Sequence, residues 1–296
     1  MQRNQSTGLL FELLRSFVTL AHTLNLSRAV RELNSTRQTV RRHINILEEI
    51  KGADLFHVED RQYRLSEAGR RSLREAEDIL ARGEAWLKDE AGHVDGLFHV
   101  SREDTETGWE FHLQQHPISS IWTGPSALLK RGVKCWAEAD GQLEAEAMQC
   151  LRPYLMVFRR FEEDWVCTEV GGKSSYATWY GWAWERSAVG RSVPGLPGGT
   201  AVANLLSQPF EEIRATHGLR YDHVHTQMAR GESGQMEPIS FKRLLMGGCY
   251  PDGSFAQLSL VERTYDIQIQ GISMEKVQSM PEAEVMHISD PALTPE

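Results

Sequence analysis

Five arginines, Arg28, Arg31, Arg37, Arg41 and Arg42, stand between Ser27 and Asn45 against a single acid, Glu32. Guanidinium forks fit phosphate and the guanine edge, and glutamine or asparagine amides fit adenine. With Gln38 and Asn45 among them, these side chains have the chemistry of a duplex-DNA reader. The chain as a whole has a formal net charge of -9. That balance excludes a protein that coats nucleic acid with its entire surface and confines the role to one local basic face.

Other residue sets point to weaker chemistry. Trp179, Tyr180, Trp182 and Trp184 form an aromatic cluster suited to the wall of an apolar pocket, with ordinary core packing as the plain alternative. His223 and His225 lie two apart in a strand-like run and face one side, as two metal ligands would. No third ligand is evident, so no metal is assigned. Cys135, Cys150, Cys167 and Cys249 have no close partner in sequence and read as free thiols rather than a disulfide framework or zinc ribbon. No phosphate-binding glycine loop before a helix, Gly-x-Ser-x-Gly or His-Glu-x-x-His is present, and the glycine-rich run at 195–199 is stiffened by proline. The residues therefore point away from an enzyme.

Elements that would position the basic face are legible. Leu10, Leu13, Leu14, Phe17, Val18 and Ala21 recur at helical spacing and predict a first helix. Ser27 is placed to cap a second, Arg28 to Leu33, and Asn34-Ser35-Thr36 breaks the pattern before a third begins near Arg37. In that third helix Val40, Ile44 and Leu47 point inward, leaving Arg37, Gln38, Arg41, Arg42 and Asn45 outward. Strand-like runs 54–58 and 62–65 around Glu59-Asp60-Arg61 predict a wing. Ser66 then caps a long helix, about Glu67 to Glu90. Its Leu73, Leu80 and Leu87 at seven-residue spacing, with Ala76 and Gly83 between, predict pairing with a second copy; packing on its own domain is the alternative.

From Leu9 to Leu87 the sequence resembles the DNA-binding domain of LysR-type transcriptional regulators. Asn25-Leu26-Ser27-Arg28-Ala29-Val30 with Leu33 is similar to the family's second helix. Thr36 through Ile44 followed by Leu47-Glu48 is similar to its recognition helix. Leu55-Phe56 and Leu65-Ser66-Glu67-Ala68-Gly69 resemble its strand and the start of its linker helix. Arg41 replaces a usually small serine, and His57-Val58 follows the Leu-Phe pair where the family has a basic residue. These departures bear on base preference and wing contacts. The resemblance implies DNA contacts from Arg28, Arg31, Thr36, Arg37, Gln38, Arg41, Arg42, Asn45, Arg61 and Arg64. Arg28, Arg31, Arg61 and Arg64 are assigned to phosphates.

The C-terminal part lacks the repeated strand-helix alternation of that family's usual effector lobes. A helix-like stretch at 143–150, strands at 154–161 and 165–170, a short aromatic helical region at 174–187, a breaker-rich loop and a helix at 201–216 follow one another. Strand-like runs at 219–229, 237–246 and 255–270, with turns at 231–234 and 251–253, form an antiparallel meander. Two strands, small helices and three strands resemble a PAS domain. Trp184 to Ser192, Ile239 to Met246 and Pro251-Asp252-Gly253 carry that resemblance over about 148–272.

The expected fold is thus α+β: an N-terminal winged helix-turn-helix with a long linker helix, and a C-terminal PAS-like antiparallel five-stranded sheet with small helices. Expected boundaries are 1–66 for DNA binding, 67–91 for the linker or dimerisation helix, 92–147 unassigned, 148–273 PAS-like, and 274–296 a tail. The expected function is a sequence-specific DNA-binding transcription regulator controlled by that sensor. In the alternative, the C-terminal domain is ligand-free and serves only oligomerisation or partner docking. Partners are double-stranded DNA, a second copy in a homodimer or tetramer, and a small-molecule or protein signal. No cofactor is assigned: none of the cysteines lies in the Asn-Cys-Arg motif of flavin photosensors, and haem stays open. With no secretory leader pattern and no long apolar run, the expectation is a cytoplasmic protein with no membrane partner.

Overall fold

A computed structural model describes residues 10–59, 62–87, 91–104, 108–162, 164–197, 199–230 and 235–293. The chain divides into two compact units, Met1–Asp89 and Glu90–Glu296.

In the first unit, helices α1 (Leu10–Thr23), α2 (Leu26–Glu32) and α3 (Arg37–Lys51) precede a hairpin of β1 (Phe56–Glu59) and β2 (Gln62–Leu65), then α4 (Glu67–Leu87). Asn25, not Ser27, caps α2, its side chain accepting from the Ser27 and Arg28 amides. The helix therefore starts two residues earlier than the serine suggests, as either side chain can serve the orphan amides of a first turn. Phe17, Leu20, Ala29, Val40, Ile44, Leu47, Leu55 and Phe56 form the core. His43 joins this inward face of α3, its Nδ1 2.7 Å from the Ser16 hydroxyl.

Two polar anchors fix the wing. Glu48 Oε1 accepts from the Leu55 amide at 2.8 Å, and Ser66 Oγ donates to the Asp54 carbonyl while accepting from the Gly69 amide at 2.9 Å. Ser66 thus caps α4 as its sequence position predicts. Gly69 is required by contact: a Cβ there would lie 2.1 Å from the Leu55 carbonyl oxygen.

The second unit is built on one eight-stranded antiparallel sheet, in the order β3-β4-β5-β8-β9-β10-β6-β7. The strands are β3 (Ala91–Val94), β4 (Leu97–Glu103), β5 (Glu110–His116), β6 (Leu155–Phe161), β7 (Asp164–Val170), β8 (Leu219–Arg230), β9 (Gln235–Cys249) and β10 (Phe255–Arg263). Helices α5 (Ser119–Thr123) and α6 (Ala127–Glu138) precede β6, and α7 (Ser175–Tyr180), α8 (Trp182–Ala188) and α9 (Gly199–Thr216) lie between β7 and β8. The larger core joins α6 to one face of the sheet, through Leu128, Leu129, Leu155, Val157, Leu244, Met246, Leu258 and Leu260. Phe158, Trp165, Cys167, Leu245, Phe210 and Ile213 pack on the opposite face.

Several sequence expectations are corrected. The five strands foreseen are present, the last ending at Arg263 rather than at 270, and the sheet has three more, supplied by residues 91–116. The helix foreseen at 143–150 is only a 3-10 turn, Glu146–Met148. Residues 274–293 are no tail: α10 (Met274–Val277) and the segment after it bury Val277, Met280 and Leu293. The long helix belongs to the first unit. The turn at 231–234 lies outside the described residues. All four cysteines are free, although folding brings the Cys135 and Cys150 sulfurs to 3.6 Å.

Candidate nucleic-acid interface and apolar cavity

The basic face depends on how α3 is seated. Thr36 caps it, its Oγ1 accepting from the Thr39 amide at 3.1 Å, so that hydroxyl is already engaged. With Val40, His43, Ile44 and Leu47 turned into the core, Arg37, Gln38, Arg41, Arg42 and Asn45 are all exposed. Arg37 donates to the Ser27 hydroxyl at 2.7 Å, which ties the start of α3 to α2. Arg28 pairs with Glu32 at 3.0 Å and Arg64 with Glu59 at 3.4 Å. Arg31, Arg41 and Arg42 are exposed and make no ion pair among the described residues. Surface pairs of this kind contribute little to stability, so Arg28 and Arg64 can exchange a carboxylate for a phosphate at small cost. Arg61 lies outside the described residues.

The helix foreseen as a pairing surface is used differently. Ala76 and Leu80 are buried in the unit's own core and Leu73 packs at its edge. A Cβ on Gly83 would meet the Phe11 ring at 3.2 Å. These four positions therefore face the unit's own core, which the apolar stripe of α4 closes. Exposed apolar side chains of α4 are Ile79, Trp86 and Leu87.

In the second unit, a cavity of about 150 Å³ lies between the sheet and α7–α9, and both Trp179 and Tyr180 line it, with Tyr176, Phe210, Met228 and Phe241. Trp182 and Trp184 do not. Gly181, at φ +85°, ends α7 and restarts the chain as α8; the break turns Trp182 outward to 70 % exposure. Trp184 packs on the Tyr180 ring instead, with centroids 6.2 Å apart. The Trp179 indole donates to the Ala229 carbonyl, and the guanidiniums of Arg230 and Arg263 lie 4.7 and 5.7 Å from its ring centroid.

Charged groups beneath this cavity escaped the sequence reading. Asp222, fully buried, accepts from Arg220 Nε at 2.8 Å and from Arg243 Nη2 at 2.7 Å, and Arg220 also pairs with Glu212. Burial pushes the Arg243 guanidinium below its usual range while Asp222 opposes that shift. Arg263 donates to the Ser175 and Glu284 carbonyls, tying α7 to the segment after α10; burial pulls it down to about 10. Strand alternation could have placed Asp222 and Arg220 on one face, but their cross-strand partner Arg243 needs the register of β8 on β9.

His223 and His225 do share a sheet face, where His223 meets Tyr221 and accepts from the Gln268 amide at 2.9 Å, and His225 meets Ser240 and lies 3.4 Å from the Glu110 carboxylate. His223 Nε2 lies 2.6 Å from the Tyr221 hydroxyl, and His225 Nδ1 2.8 Å from the Ser240 hydroxyl. Beside them, Glu103, Glu110 and His112 have the donor types and spacing to hold a metal ion. The Lys276 ammonium bonds both of these carboxylates and supplies their counter-charge. Burial is the main cause that holds His99, His112, His116, His223 and His225 below the ordinary imidazole range, His223 at about 3.

Residues 11–70 match the family described as bacterial regulatory helix-turn-helix protein, lysR family. The match lies within the first unit and spans α1 to the first turn of α4. Among solved structures, the Corynebacterium glutamicum OxyR C206 mutant is 26% identical over 27% of this chain and 25% of its own, with a TM-score of 0.25. The LysR family transcriptional regulator VV2_1132 is 28% identical over 27% of each chain, with a TM-score of 0.26. A CbnR_DBD-DNA complex is 25% identical over 27% of this chain and 91% of its own, also at 0.26. The chain thus spans about a quarter of the length of the OxyR structure it matches. No curated protein matches the chain. No helix among the described residues is long and apolar enough to cross a membrane.

Proposed function

We propose that this protein is a sequence-specific DNA-binding transcription regulator of LysR-like type, whose second unit acts as a PAS-like sensor. One observation carries the DNA-binding part: within the matched helix-turn-helix, the exposed side of α3 presents Arg37, Gln38, Arg41, Arg42 and Asn45 while its other side is locked into the core. Arginine on guanine and glutamine or asparagine on adenine each discriminate by about 1–3 kcal/mol. Arg28, Arg31 and Arg64 on the neighbouring elements take phosphate roles that set position and salt dependence. Self-association uses the apolar residues that α4 leaves exposed, Ile79, Trp86 and Leu87.

The PAS-like part is supported by five adjacent strands, β7-β6-β10-β9-β8, with α7–α9 between the second and third in chain order. The apolar pocket between the sheet, α7 and α9 supports a sensor over a module used only for oligomerisation or docking, because a concave apolar site with a few polar groups is the usual form of a small-molecule site. The signal then shifts the balance between two arrangements of the regulator.

The test is selection of bound sequences from random duplex DNA, followed by titration of the selected site with wild type, Arg41→Ala and Arg42→Ala. Each exposed substitution should weaken specific binding about tenfold or more, from the loss of a base contact, while leaving the far-ultraviolet circular dichroism unchanged. No enriched sequence, or undiminished binding by both variants, refutes the assignment of α3.

A further inference from the structure

The cavity walls hold an unanswered pair of donors. Tyr176 and Tyr180 stand one turn apart on α7 with ring centroids 4.9 Å apart, and both line the cavity. Neither hydroxyl, each shielded from solvent, has a hydrogen-bond partner among the described residues. Tyr180 is 9 % exposed. Phenol groups in apolar surroundings ordinarily find a partner, since burial strips their water and returns nothing. Burial also raises both above the ordinary phenol range, Tyr176 to about 12, so both stay protonated and can donate.

Volume and charge define what they would donate to. About 150 Å³ is room for a single aromatic ring. Arg243 is the one cationic side chain among the lining residues, and Asp222 accepts from both its Nε and its Nη2. A ligand carboxylate would therefore meet a guanidinium already neutralised, in surroundings that penalise an added charge.

Resting on the sensor reading given above, we propose that this cavity binds an uncharged, single-ring aromatic molecule carrying one acceptor oxygen, which receives the Tyr176 and Tyr180 hydroxyls. The ring lies among Phe210, Met228 and Phe241, and the oxygen points to α7. Occupancy would join α7 to the sheet through the ligand, and α7 is tied in turn to the segment after α10 by Arg263.

The test is calorimetric titration of the full chain, without DNA, using acetophenone, ethylbenzene and benzoate as probes. Acetophenone should bind and benzoate should not. Tyr176→Phe/Tyr180→Phe should lose acetophenone affinity about tenfold, keep ethylbenzene affinity within twofold, and melt no lower than wild type. Absence of acetophenone binding, equal binding by the double variant, or tighter binding of benzoate overturns the proposal. A melting temperature lowered in the variant also overturns it, since the hydroxyls would then have protein partners. Arg41→Ala/Arg42→Ala should bind acetophenone as wild type does, so failure of the DNA-reading assignment and failure of this one are read separately.

Discussion

Removing the Asp222 carboxylate should cost the second unit much of its stability. Asp222 is fully buried between Arg220, also fully buried, and Arg243, 4 % exposed. In Asp222→Ala, Arg220 keeps Glu212, whereas Arg243 loses the acceptor of both its Nε and its Nη2. Breaking a buried pair by deleting one partner costs about 3–5 kcal/mol, because the surviving charge stays desolvated. For a unit of this size each kcal/mol moves the melting temperature about 2–4 °C, so a drop of roughly 6–20 °C is expected. Asp222→Asn, which keeps an acceptor and loses the charge, should fall between wild type and Ala. Differential scanning calorimetry and urea unfolding of the full chain report both. A loss below about 1 kcal/mol for Asp222→Ala would mean that water reaches these guanidiniums, and the dry floor of the cavity would be refuted.

Two further outcomes follow from the same coordinates. His112, His223 and His225 are buried and held neutral, so the unfolded chain binds protons that the fold does not. Stability should be fully present above about pH 6.5 and fall towards pH 3, by up to about 1.4 kcal/mol per pH unit for each histidine. Urea midpoints between pH 7 and 4 measure this, and a flat profile contradicts the burial of those rings. Gly69→Ala should destabilise the first unit by about 1–3 kcal/mol despite alanine's better helix propensity, because the new methyl meets the Leu55 carbonyl. A thermal melt showing stabilisation would mean the wing is not seated as described.

The first unit was nearly all legible because its information is local. Caps, breakers and the spacing of Val40, Ile44 and Leu47 fix α3, and whatever is not buried on a short helix must face outward. The second unit was read only where apolar runs are long. In β5, Phe111 and Leu113 alternate with Glu110 and His112, a pattern of a half-solvated strand, yet His112 is only 1 % exposed. Its cover comes from residues far along the chain, including His225, whose ring stacks on it, and no local signal announces such a partner. Trp182 shows the same limit in reverse: spacing placed it with its neighbours, and the left-handed Gly181 turned it away.

Leu293 has a consequence for synthesis. It sits in the same core as Leu128 on α6 and Leu155 on β6, so that core is complete only when the segment carrying Leu293 has left the ribosome. The helix-turn-helix needs nothing beyond α4 and can close while the rest is still being made. A nascent chain would thus carry a folded helix-turn-helix before its second unit is complete.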